Sequence, residues 1–103
     1  MINLFLDDMR CCPEGFIKVT TASACLDIIL NNKVEVLSLD YDLGFTDPQH
    51  SGSDVLTALE EAIVFEADIY MPRKFIVHSD NPVGRERMNL VIKMINRRLD
   101  RND

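Results

Sequence analysis

Four short runs of near-continuous apolar residues alternate along the chain with longer stretches whose apolar residues recur every three or four positions. This is the pattern of buried strands joined through amphipathic helices. The first run, Ile2 to Leu6, stops abruptly at Asp7-Asp8, and a later one, Val34 to Leu39, stops at Asp40-Tyr41-Asp42. Between them, Met9 to Gly15 reads as a loop containing Pro13 and Gly15, and Phe16 to Val19 as a brief strand. Thr21 or Ser23 can cap a helix running to about Asn32, with Ala22, Cys25, Leu26, Ile29 and Leu30 on one face. The loop before the brief strand is shorter than the dozen or so residues usual for a parallel crossover, so an edge strand of undetermined direction is expected there.

Downstream, Gly44 to Gly52 is a polar, Pro-containing loop, and Ser53 is expected to begin a helix in which Val55, Leu56, Leu59, Ile63 and Val64 share a face. Lys74 to Ser79 reads as the last strand. Asn81-Pro82 then starts a helix, with Asn as cap and Pro at the first helical position, that carries Val91, Ile92, Ile95 and Leu99. Such an order predicts an α/β domain, a mostly parallel sheet covered by helices on both faces in three layers. Sheets of this kind bind ligands beyond the carboxyl ends of their strands. That rule selects Asp7-Asp8, Asp40 to Asp42 and His78 to Asn81.

The chain has 103 residues, 47% of them apolar, enough to close one hydrophobic core, so residues 1–103 are expected to form a single domain. Seventeen acidic against eleven basic side chains give a net charge of −6, which disfavours duplex DNA, RNA backbone and anionic lipid as partners. The basic groups Arg85, Arg87, Lys93, Arg97, Arg98 and Arg101 crowd the last fifth of the chain, as a solvated helix face. No apolar run reaches the roughly 20 residues of a membrane span, and Met1 to Leu6 lacks the form of a signal peptide, so a cytoplasmic protein is expected. Cys11 and Cys12 fall in a loop and Cys25 on the apolar side of a helix, where it fills the core; reduced thiols are expected of all three.

If the strands ending in Asp7-Asp8 and Asp40 are neighbours, their spacing of about 5 Å brings three carboxylates together. Pairs about 6 Å apart at an effective dielectric near 20 repel by roughly 3 kcal/mol each, so protonation or a cation must relieve the crowding. An all-oxygen site with room for water suits Mg²⁺ or Mn²⁺ rather than zinc. The alternative is that some of these residues only form turns where strands exit, Asp42 above all, since Leu43-Gly44 follows it.

His78 and Ser79 lie at the same sheet edge and suit proton transfer or anion contact; a buried, hydrogen-bonded structural role for His78 is equally consistent. His50, before a helix, is a second candidate base. Arg85 falls in the first turn of the last helix, where a cation is locally unfavourable by about 0.3 to 1 kcal/mol unless an anion completes the set. A salt bridge to Glu86 or an aspartate would account for it equally well.

The stretches Leu4-Phe5-Leu6-Asp7-Asp8-Met9-Arg10, Ser38-Leu39-Asp40-Tyr41-Asp42-Leu43-Gly44, Ser51-Gly52-Ser53-Asp54-Val55 and His78-Ser79-Asp80-Asn81-Pro82-Val83-Gly84-Arg85-Glu86-Arg87-Met88 together resemble the cyclic-phosphate processing receiver-like domain, which is similar to the receiver domains of two-component signalling. The resemblance implies a receiver-like (flavodoxin-like) sheet of about four strands. It implies Mg²⁺ binding by Asp7, Asp8 and Asp40 and phosphoryl contact by Ser79. Signalling receivers also carry a Lys at the end of a fifth strand, for which this chain has no counterpart, so an ordinary phosphorelay on Asp40 is not expected. Tyr41 stands where many relatives carry His.

Two functions remain open on this reading. In the first, a metal-dependent phosphoesterase opens a cyclic phosphate on an RNA end or a nucleotide. Asp7, Asp8 and Asp40 then hold the ion, Asp42 or His78 manages the proton, and Ser79, Asn81, Arg85 and the helix N-terminus grip phosphate oxygens. In the second, the domain is a non-catalytic module that binds a phosphorylated or cyclic nucleotide signal, or a protein partner.

Overall fold

A computed structural model of the chain describes residues 1–101. Its elements follow in the order β1 (Ile2–Leu6), β2 (Ile17–Val19), α1 (Ala22–Asn31), β3 (Val34–Leu39), α2 (Gly52–Val64), β4 (Lys74–Val77) and α3 (Pro82–Arg98). The four strands form one sheet in the order β2-β1-β3-β4, and every pair is parallel. The chain thus has the α/β architecture with a parallel sheet that its pattern predicts, and the four-stranded receiver-like sheet that the resemblance implies. No helix among the described residues is long and apolar enough to cross a membrane.

Registers align Leu4 with Ile17 and Leu37, and Leu6 with Val19 and Leu39. Side chains alternate along a strand, so Leu4, Leu6, Val19, Leu37 and Leu39 share one face. They join Cys25 and Ile29 of α1, Val55, Leu56 and Leu59 of α2, and Met88 and Ile95 of α3 in a single buried core. The helices lie in a row, α1 against α2 and α2 against α3. On the opposite face, Phe5 is covered by Phe16, whose ring meets it edge-on at 6.4 Å. The helical layer expected on that side is replaced there by loop, because the ten residues joining β1 to β2 contain no helix.

One open question is settled and two further expectations shift. The undetermined strand β2 is parallel and lies at the sheet edge beside β1. Leu30 and Val64, expected on buried faces, are exposed: each sits in the last turn of its helix, beyond the stripe that meets the sheet. Helix α2 begins at Gly52 rather than Ser53, with Ser51 as cap, because the Asp54 carboxylate accepts the Ser51 N–H at 2.7 Å. The other starts agree with the pattern. Thr21 Oγ1 accepts the Ala24 N–H, and Asn81 Oδ1 accepts the Gly84 N–H with Pro82 opening α3.

Two glycines set how closely the helix starts approach the end of β3. A Cβ on Gly52 would overlap the Asp40 carbonyl oxygen, and one on Gly84 would overlap the Tyr41 ring. Helices α2 and α3 therefore converge on Asp40-Tyr41 through bare backbone. The three cysteines are free; Cys25 is fully buried, which pushes its thiol up to about 12, as expected of core filler.

Candidate metal and phosphate site

Because β1 and β3 are adjacent and end in register, the residues that follow them meet. Asp40 N–H donates to the Leu6 carbonyl at 2.9 Å, and Asp7 N–H to the Val19 carbonyl at 3.2 Å. One carboxylate oxygen from each of Asp7, Asp8 and Asp40 lies within 4.8 Å of the other two.

The three acids have different surroundings. Asp7 is completely buried. Burial would raise its pKa, but the Arg10 and Met9 N–H groups on Oδ1, at 2.9 and 2.8 Å, and His78 on Oδ2 outweigh it and hold the group below its ordinary 3.8. With two donors on Oδ1 and one on Oδ2, the spare acceptor capacity of Asp7 lies on Oδ2. Asp40 is shifted upward by burial and by the charge of Asp7, offset in part by the Ser79 hydroxyl and the Tyr41 N–H. Asp8 is half-buried, and its Oδ2 accepts the Phe45 N–H at 3.3 Å.

His78 leaves β4 with its N–H still donating to the Leu39 carbonyl. Its ring is stacked on Phe5, centroids 4.4 Å apart and planes 8° from parallel. Nε2 lies 2.9 Å from Asp7 Oδ2, and Nδ1 lies 2.7 Å from Ser38 Oγ. Burial lowers the His78 pKa below 6.5 despite Asp7, so the imidazole is neutral at neutral pH. An ionised Asp7 requires the proton on Nε2, which leaves Nδ1 to accept from the Ser38 hydroxyl. Both ring nitrogens are thus committed, and Ser38, buried in β3, is a polar member of the site that its apolar neighbours disguised.

Ser79 is also buried; its hydroxyl bonds Asp40 and accepts the Asn81 N–H at 3.1 Å. While Asn81 caps α3 with its oxygen, its Nδ2 lies 3.4 Å from Asp42 Oδ2, which joins Asp42 to the start of that helix. Arg85 is exposed in the first turn of α3 and makes no ion pair with Glu86 or an aspartate among the described residues. Asp42 opens onto a cleft of about 410 Å³ whose walls include Tyr41, His50, Ser53 and Arg87.

Arg10 had no assigned role in the sequence pattern. Its guanidinium lies 3.9 Å from Asp7 Oδ2 and 2.9 Å from Asp80, so a positive charge stands beside the acidic cluster. Part of the expected repulsion is therefore met inside the chain, by Arg10 and by the donors on Asp7. The signal for Arg10 was its spacing: three residues after a buried Asp, in a turn closed by that Asp, its side chain folds back.

The sequence matches the profile of the cyclic-phosphate processing receiver domain over residues 2–94. The chain belongs to that family. No curated protein and no solved structure matches it. The acidic trio at the ends of β1 and β3 is thus found in a receiver domain associated by name with cyclic phosphates.

His50 lies apart from this cluster. Its Nδ1 is 2.8 Å from Asp47 Oδ1, and Asp47 Oδ2 accepts the Ala22 N–H at 2.9 Å. The hydrogen bond to Asp47 raises His50 above 6.5, and His50 in turn lowers Asp47 below 3.8. The Asp47 contribution is lost as pH falls through its lowered value, and the His50 contribution as pH rises through its raised one. Melting at a series of pH values should find wild type most favoured over His50→Gln between about pH 4 and 6.5, with the difference shrinking as pH rises through the raised His50 value. A difference that grows above pH 8 would contradict the pairing.

Proposed function

We propose that this domain is a metal-dependent phosphoesterase that opens a cyclic phosphate on a nucleotide or an RNA end, in a cytoplasmic, thiol-reducing setting. The observation that carries the reading is the meeting of Asp7, Asp8 and Asp40, one of them fully buried and held ionised. Their all-oxygen donor set fits Mg²⁺ or Mn²⁺; the pKa of Asp40 is raised first by burial and then by the charge of Asp7, and a cation would relieve both. When bound, such an ion polarises a phosphoryl oxygen and makes a water more acidic.

The chain's own groups supply the rest. Asn81, Arg85 and the Val83 N–H, left over once Pro82 opens α3 and Asn81 caps Gly84, grip phosphate oxygens, and Arg10, paired with Asp80, adds a cation beside the cluster. Ser79 orients Asp40 and contacts phosphate only by exchanging that bond. Asp42, exposed beside Asn81, is the better placed proton acceptor; His78 works through Asp7, fixing its orientation. The commitment of both His78 nitrogens favours one alternative, a module that binds the same ligand without turnover. Incubation with Mn²⁺ and 2′,3′- and 3′,5′-cyclic nucleotides separates the two, since only the enzyme yields opened products.

The metal reading has a direct test by thermal melting. At about 100 times the dissociation constant a ligand adds about 2.7 kcal/mol, which should raise the melting temperature of wild type and of Asp68→Asn by about 10 °C. Asp68 is exposed and remote in sequence from the cluster, whereas Asp47 ties its loop to α1 and is unsuitable as a control. Asp40→Asn should melt above wild type without metal, because a repelled charge is gone, and gain nothing from metal. Melting of wild type that ignores both ions would sink the proposal.

A further inference from the structure

Two phenylalanines stand 80% exposed, Phe45 and Phe65, although burying such a ring normally stabilises a fold by about 1.5 to 3 kcal/mol. Their settings differ. Phe65 ends α2, and the 13 residues of that helix put roughly 20 Å between it and the Asp40 end. Phe45 sits beside the acidic cluster, its N–H donating to Asp8 Oδ2.

The segment around Phe45 is anchored on both sides. Leu43 is buried in the core, and its carbonyl accepts the Thr46 and Asp47 N–H groups at 3.2 and 2.7 Å. The Thr46 hydroxyl donates to the Thr20 carbonyl, and Asp47 binds the Ala22 N–H. Residues 42 and 51 close the base of the loop by a bridge. Phe45 is thus held in solvent by a loop with little freedom to fold it away, within one residue's reach of a carboxylate proposed to hold the metal.

We infer that Phe45 is a stacking platform for the nucleobase of that nucleotide or RNA end, so that the base is recognised along with the cyclic phosphate. This rests on the proposed metal and phosphate site and assigns the residue that contacts the base. Every base offers a π-face, so an aromatic ring beside a phosphate-binding centre selects for nucleosides without selecting among them. A base lies a few ångströms from its own ribose phosphate, and the Phe45 amide lies 3.3 Å from Asp8 Oδ2, so the ring is carried by a residue in direct contact with the acidic cluster.

The test uses the full chain with Mn²⁺ and two ligands that share the five-membered cyclic phosphate: adenosine 2′,3′-cyclic phosphate and glycerol 1,2-cyclic phosphate, followed by calorimetry. Wild type and Phe65→Ala should prefer the adenosine ligand by about 10-fold or more, the scale of one stacked base. Phe45→Ala should lose that preference while binding glycerol cyclic phosphate as wild type does, and Phe45→Trp should keep it. Adenosine 3′,5′-cyclic phosphate and a short RNA ending in a 2′,3′-cyclic phosphate, run in parallel, identify the source of the nucleoside. Equal binding of both first ligands by wild type, or undiminished preference in Phe45→Ala, overturns the role of Phe45 and leaves the metal site standing. If wild type binds neither ligand, both readings fall.

Discussion

Asp7→Ala is expected to lower the free energy of unfolding by about 2 to 4 kcal/mol, whereas Asp8→Ala should change it by no more than about 0.5 kcal/mol. The two acids are adjacent in sequence and equal in formal charge, so charge alone does not separate them. Asp7 is the acceptor for the Met9 and Arg10 N–H groups and for His78 Nε2, at a fully buried position. Without its carboxylate, three donors lose their partner, each at about 1 to 3 kcal/mol where water cannot replace it. Relief of repulsion with Asp40 and water at the two amides offset part of that loss. Asp8 accepts one long bond at a half-buried position. Denaturant unfolding of the metal-free variants measures the contrast, and comparable losses would mean that the donors on Asp7 do not anchor the turn.

Gly52→Ala should cost about 1 to 3 kcal/mol in stability, and it should weaken metal binding although no ligand is altered. The added methyl would occupy the space of the Asp40 carbonyl oxygen, and a backbone atom has no rotamer through which to withdraw. Either α2 retreats or the end of β3 does, and the second response carries the Asp40 carboxylate away from Asp7. Gly84→Ala presses on the Tyr41 ring, a side chain that can turn, so a smaller loss is expected there. Gly44→Ala meets nothing within 4 Å and serves as the control. Equal melting of the Gly44 and Gly52 variants would show that the helix start is not seated as described.

Much of this arrangement was legible because it follows from local rules. Apolar runs ending in acid marked β1 and β3, and Asn81-Pro82 marked α3 by its capping chemistry. The convergence of Asp7, Asp8 and Asp40 needed only that the two strands be neighbours, as they are. The direction of β2 was not legible, since its three residues carry no record of which way the ten-residue connection turns. Leu30 and Val64 misled because apolar residues in a last helical turn keep the period of the buried stripe after the sheet beneath has ended. Ser38 and Phe5 were read as strand filler; their part, holding and stacking His78, depends on a residue about 40 or more positions away. The packing roles of Gly52 and Gly84 were hidden for the same reason: a missing side chain matters only once the opposing backbone or ring is known.

The pairing of Arg10 with Asp80 has a consequence for how an anion would meet this protein. Asp80 is almost wholly solvent-exposed and Arg10 nearly half so, and contacts of that kind, screened by solvent, contribute little. The guanidinium is therefore parked rather than locked, free to swing from one carboxylate to an incoming phosphate at little cost. Ionic strength sets how firmly it is parked: the screening length shortens from about 30 Å at 0.01 M to about 8 Å at physiological salt. Arrival of a charged ligand should accordingly depend on salt more steeply than the stability of the fold, whose buried bonds are shielded from the solvent ions.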